Sequence, residues 1–225
     1  MDVPLWVGWL IGTVSAIVVV TTYPYLATAI SYRQRDNGLA YIVMILGIAV
    51  WNGFLILQLL DSDPLVQVFF YSLSVVGALL AGLGWFLFAC TASSTPVIPR
   101  ARFVFGGVGI LVGLDIVLTV TAVSHGVYWQ SPGAGLIGSP FATITPEVGY
   151  WIHTQFVVLL FLGGAILFAQ AWSRGRDVTY TRAYTLAAIA TAIAVLVSNV
   201  LAPGGFTLAP IVAAGLPTIG WFQAQ

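Results

Sequence analysis

Asp115 and His153 are the two side chains of this chain whose types and placement invite chemistry. Asp115 is the only acidic residue inside a long apolar run, and His153 stands a turn or so into the next one. An ionisable group at membrane depth is costly, so it normally faces a bundle interior or water and marks function. An Asp–His pair across adjacent helices would satisfy both groups. It would serve either as a ligand site or as interhelical glue worth about 1 kcal/mol. Other polar stripes fall at a comparable level. Gln67, Tyr71 and Ser74 recur at i, i+4 and i+7, one face by helical spacing. Trp51 and Gln58 share another face, and Asn199 lies near the end of its run. Together Asp115, His153, Tyr71, Gln67, Trp51 and Asn199 form a candidate ligand-binding cavity. Gln155 is about 200° round the helix from His153, so both cannot point inward, and His153 is taken as the inward one.

The inventory excludes much else. Aspartyl chemistry needs two membrane carboxylates, metal hydrolysis needs converging ligands, and the chain has only two histidines, without ligand spacing. No catalytic residue and no metal site is expected. There is no lysine, so retinal cannot be held as a Schiff base, and no cofactor is expected. Cys90 stands alone and cannot form an internal disulfide.

These residues must be positioned by long apolar elements. Seven runs, roughly 5–32, 39–60, 65–91, 103–123, 148–172, 183–201 and 207–223, mostly reach the ~20 apolar residues that cross the hydrocarbon. Only 6% of residues are charged and 60% are hydrophobic, a composition no water-soluble core could hide. The arginine clusters Arg33/Arg35, Arg100/Arg102 and Arg174/Arg176/Arg182 occupy the first, third and fifth gaps. Basic residues collect in cytoplasmic loops, so the N-terminus lies outside and the C-terminus inside. The expected fold is an all-α integral membrane bundle of seven transmembrane helices, one domain over 1–225, multi-pass in the cell membrane. Its surroundings are the lipid bilayer, and no nucleic-acid partner is expected.

Trp6, Trp9, Tyr150 and Trp151 at one set of helix ends, and Tyr32, Tyr41, Trp172, Tyr184 and Trp221 at the other, read as aromatic belts. Gly8/Gly12 and Gly109/Gly113 form small-xxx-small patterns, which packing inside the bundle explains most simply; the second pair, nearly opposite Asp115 on the helical wheel, also admits a homodimer through the fourth helix. Pro24 and Pro217 free backbone carbonyls inside their runs. The outer loop 124–147 is the longest connection, and its apolar content favours a folded cap, with a short hairpin, over the outer mouth.

Several stretches carry a family resemblance: Ala49-Val-Trp-Asn-Gly-Phe54, Trp85-Phe-Leu-Phe-Ala-Cys-Thr91, Ser124-His-Gly-Val-Tyr-Trp129, Pro146-Glu-Val-Gly-Tyr-Trp-Ile-His153 and Leu208-Ala-Pro-Ile211. In order and loop length they resemble the N-terminal seven-transmembrane sensor region of membrane histidine kinases. A proline expected near Val195 is absent, and Thr207 replaces the acidic residue often found before the last helix's proline. The resemblance implies a non-enzymatic sensory or receptor-like input module that passes a signal from an unidentified small ligand to a cytoplasmic histidine kinase or regulator. A transporter or channel of small solutes or ions, using Asp115 and His153 as proton-linked sites, is the alternative from a different class.

Overall fold

In hydrocarbon every backbone N–H and C=O must be satisfied within its own segment, so the apolar runs have helix as their only stable single-segment solution. The computed structural model describes residues 5–31, 33–34, 37–93, 101–130, 144–175, 178–204 and 207–224. The helices are α1 (Leu5–Ser31), α2 (Gly38–Leu60), α3 (Pro64–Ala92), α4 (Ala101–Val120), α5 (Ala122–His125), α6 (Val148–Ser173), α7 (Val178–Leu201), α8 (Ala209–Ala213) and α9 (Gly215–Ala224). Strands β1 (Trp129–Gln130) and β2 (Thr145–Pro146) pair antiparallel, Trp129 opposite Pro146 and Gln130 opposite Thr145. A hairpin base is thus present in the long loop, while the cap expected over 131–143 lies outside the described residues.

Five helices, α1, α2, α3, α6 and α7, are long and apolar enough to cross a membrane, and two shorter apolar helices cover Gly106–Val120 and Ala209–Ile219. Large apolar side chains such as Ile17, Val20, Ile110, Leu159 and Val200 point outward. An outward apolar surface of this extent requires lipid around it.

Local chemistry sets the turns. The Asp63 carboxylate accepts from the Leu65 amide at 2.8 Å, with Pro64 at the first helical position, so α3 starts sharply after only three intervening residues. The α2–α3 pair then packs backbone to backbone. A Cβ at Gly47 would meet the Ala81 nitrogen at 2.2 Å, one at Gly77 the Trp51 nitrogen at 2.4 Å, and one at Gly84 the Met44 nitrogen at 2.2 Å. Gly12 makes only an ordinary contact with Leu59, and a Cβ at Gly109 or Gly113 would meet nothing within 4 Å among the described residues.

The α3–α6 seam is built on Trp85, which is fully buried. Its indole N–H donates to the Phe161 carbonyl at 3.0 Å, and Gly164 leaves the room this needs, since a Cβ there would sit 2.2 Å from the indole nitrogen. Phe88, Phe168 and Tyr184 complete an aromatic core, with the Phe168 and Tyr184 rings stacked at 4.8 Å. Tyr184 is therefore a core residue and not the belt residue its position suggested. Tyr41 is half-drawn into the same core and donates to the Pro217 carbonyl at 2.7 Å. By contrast Trp6, Trp9, Trp151 and Trp172 stay exposed, with the Arg182 guanidinium 5.6 Å over the Trp172 ring.

These contacts align the helices. The C-terminal halves of α3 and α6 and the N-terminal halves of α2 and α7 meet at one end of the bundle, which also carries Arg33 and Arg174; we call it the arginine end. The opposite, hairpin end carries Asp61, Asp63 and the β1–β2 ladder. Two runs depart from single helices. The fourth ends at Val120 and restarts as α5, capped by Gly126 in the left-handed region at φ 64°. The seventh breaks at Ala214, where the Pro217 ring displaces the carbonyl four residues earlier.

Candidate functional site

At the hairpin end, α4 carries Asp115 and α6 carries His153, and the two meet directly. His153 Nδ1 lies 2.5 Å from the Asp115 Oδ2, with both residues buried at 5% and 9% exposure. The other carboxylate oxygen accepts from the Tyr128 hydroxyl, on the segment leading into β1. Burial first, then the hydrogen bond to Asp115 and its charge, push the Tyr128 pKa upward, so this hydroxyl stays protonated and donates. Thr119, one turn further along α4, is fully buried and places its hydroxyl beside that of Tyr128. One carboxylate thereby joins α4, α6 and the long loop.

The loop is brought there by its own backbone. The Glu147 amide donates to the Tyr128 carbonyl at 2.9 Å and the Gly149 amide to the Val127 carbonyl at 3.0 Å, tying the segment before β1 to the start of α6. Gly149 is where the Tyr128 ring crosses: a Cβ there would lie 2.7 Å from the ring and 2.9 Å from the Val127 carbonyl oxygen. Trp129 then sets its ring edge-on to Tyr71, centroids 5.5 Å apart, closing the hairpin end of the bundle.

Behind His153 lies a small cavity of about 30 Å³, lined by Trp51, Gln58, Tyr71, Ser74, His153 and Asn199 among others. That volume suits one or two waters and no organic solute. The Tyr150 hydroxyl donates to the Asn199 side-chain oxygen at 2.9 Å, and the Tyr71 hydroxyl sits against Tyr150 and the Gly204 backbone without full hydrogen-bond geometry. The Gln58 amide nitrogen donates to the Gly204 carbonyl at 3.1 Å, while its oxygen is buried with no partner among the described residues. A trapped water would satisfy such groups.

Of the six residues expected in the site, Asp115 and His153 are paired, and Trp51, Tyr71 and Asn199 line the cavity on the His153 side. Gln67 is buried on the same face of α3 but nearer its start, where it donates to the Asp61 carbonyl at 2.7 Å; it does not line the cavity. Tyr128 and Tyr150 were missed. Tyr150 had a signal, because it precedes His153 by three residues and so shares its helical face. Tyr128 had none, since only the loop's fold brings it across. Among the described residues no three His, Cys, Asp or Glu side chains converge as metal ligands.

A family model described as the N-terminal 7TM region of histidine kinase matches residues 9–219. The chain belongs to that family. It is a multi-pass membrane protein whose family is a sensor region and not a kinase catalytic domain. No curated protein and no solved structure matches the chain.

Proposed function

We propose that this chain is a sensory input module with seven spans, α8 and α9 together making the seventh, its arginine end in the cytoplasm and its N-terminus outside. The stimulus is read at the Asp115–His153–Tyr128 network and passed to a cytoplasmic histidine kinase or regulator. The family match over residues 9–219 carries the reading. The arrangement of the network supports it, because a single carboxylate holds α4, α6 and the loop together, and any stimulus that competes for it alters three elements at once. The positive-inside rule supports the orientation, since Arg33 and Arg174 share one end. With no lysine in the chain, the input needs no covalent retinal.

The test joins or co-expresses the chain with a cytoplasmic histidine kinase and measures autophosphorylation. Asp115→Asn keeps the shape and removes the charge; His153→Leu removes the partner. Both should move kinase output at equal amounts of membrane-inserted protein. Unchanged output in both, together with proton- or solute-coupled flux in liposomes, would favour a carrier that uses the same pair.

A further inference from the structure

On the lipid-facing side of the same carboxylate lies a second space. α4 leans on α3 and packs little against α6, so an open groove of about 640 Å³ runs between α4 and α6. Its walls are Leu111, Leu114, Leu118, Ile152, Phe156 and Leu159, and its polar groups are Asp115, Tyr128 and Gln155. We propose that this groove binds a membrane-soluble amphiphile that enters sideways from the bilayer, its hydrogen-bond-donating head (hydroxyl or amine) on Asp115 and Gln155 and its apolar body along α4 and α6. The proposal deepens the sensory reading above by naming the ligand class and its route.

Three observations carry it. First, Gln155 is exposed on the outer face of α6, seven residues inside the helix, and makes no hydrogen bond among the described residues. An amide turned toward hydrocarbon without a partner is expensive, and a polar head group in the groove would supply that partner. Second, Asp115 spends one lone pair per oxygen on Tyr128 and His153, and a carboxylate accepts about four hydrogen bonds, so acceptor capacity remains on the groove side. With two donors already aimed at it, the carboxylate calls for a donor from the ligand and would repel an acid. Third, the size decides between occupants. The groove follows about 10 Å of α4 and about 16 Å of α6. Its volume falls in the ~300–1,000 Å³ range of small-molecule sites. A transmembrane helix, about 10–12 Å across and spanning the whole bilayer, would not enter it. The cavity behind His153, about 30 Å³, is too small for an organic solute, so the groove is where an organic ligand reaches the network.

The experiment uses the full chain in phosphatidylcholine nanodiscs, with a diazirine-bearing long-chain alcohol as probe and the matching diazirine alkane, lacking the hydroxyl, as reference. After irradiation, adducts are mapped by mass spectrometry. The alcohol should label groove residues of α4 and α6 well above the alkane. Gln155→Leu should lower alcohol labelling about three- to tenfold, the loss expected of one hydrogen bond, and leave alkane labelling unchanged. Leu114→Trp, a change at an exposed position that fills the groove, should suppress both. Equal labelling by alcohol and alkane would overturn the proposal. So would adducts spread evenly over lipid-facing residues such as Ile17 and Val200, or crosslinks joining α4 of two copies. Kinase output is read in parallel. Specific labelling with unresponsive output keeps the groove and removes the sensory role, whereas output sensitive to Asp115→Asn without specific labelling does the reverse.

Discussion

Gly149→Ala separates the geometry described here from generic helix behaviour, because the two give opposite signs. An alanine in place of glycine near the start of an exposed helix normally stabilises it by up to about 1 kcal/mol. At position 149 the new Cβ would lie 2.7 Å from the Tyr128 ring and 2.9 Å from the Val127 carbonyl oxygen. Neither can yield freely. The ring is held at its hydroxyl by Asp115 and packs edge-on to Trp129 at 5.7 Å, and the carbonyl accepts the Gly149 amide itself. Relief must therefore come from lifting the loop off α6. That forfeits the Tyr128–Asp115 hydrogen bond, about 1.5–3 kcal/mol for a bond to a charged group, and the Gly149–Val127 bond, about 0.5–1.5 kcal/mol. After the propensity gain, the net is a destabilisation of about 1–4.5 kcal/mol.

Unfolding by SDS titration in mixed micelles, followed by tryptophan fluorescence, measures this against two references. Gly113→Ala, where a Cβ meets nothing within 4 Å, should be neutral or slightly stabilising. In a Tyr128→Ala background, Gly149→Ala should lose most of its cost, because the ring it strikes is gone; the double-mutant cycle reports the coupling directly. A Gly149→Ala protein as stable as the parent, or a cost that persists undiminished without Tyr128, would refute the docking of this loop on α6.

Gly77→Ala should destabilise the bundle by about 1–3 kcal/mol or prevent its assembly, because the Cβ would strike the Trp51 backbone and α2 and α3 must move apart; the same titration reads it. Trp85→Phe leaves the Phe161 carbonyl without its indole donor and a gap over Gly164, an expected cost of about 1–3 kcal/mol by the same assay. For topology, single cysteines at Asp36, Ser62, Ile98, Gly135, Asp177 and Ala202 in a Cys90→Ala background should react with an external impermeant maleimide only at 62, 135 and 202. External labelling at 36, 98 or 177 reverses the orientation.

The sequence makes the helices legible because a bilayer leaves the chain few options, so hydropathy alone locates them. It also exposes the Asp115–His153 pair, since the only acid inside a long apolar run and a histidine at matching depth on the next long helix have strong reason to find each other. Glycine roles were less legible. Small-xxx-small spacing marks Gly109 and Gly113, where a Cβ would meet nothing within 4 Å among the described residues, while Gly77 and Gly84, seven residues apart on one face, carry the closest backbone approach. Spacing says that a face is small but not which neighbour comes to meet it. The size of the cavity is illegible in the sequence for the same reason. Gln67, Tyr71 and Ser74 do share a face and are all buried, but the hairpin end is filled by Trp129, Tyr150 and the residue 202–204 turn, leaving room only for water. Trp129 and that turn come from loops, whose paths periodicity does not describe.

How the helices are held differs across the bundle, and the difference bears on the proposed sensory role. α2 and α3 meet through backbone atoms at three glycines, a seam that leaves little room to shift, and Trp85 locks α3 to α6. α8 and α9 hang from that rigid unit by two hydrogen bonds from α2, Asn52 to the Pro210 carbonyl at 3.2 Å and Tyr41 to the Pro217 carbonyl at 2.7 Å. α4 has no comparable seam with α6; the Asp115 carboxylate and the groove take its place. A ligand shifts a conformational equilibrium only by binding one state better than another. Contacts that differ between states must then lie where packing permits a second arrangement, and the α4–α6 side offers that freedom where the glycine seam does not. Displacement beginning at Asp115 would pass through His153 to α6 and through Tyr150 and Asn199 to α7, so any output at the arginine end is carried by helices that the polar network touches directly.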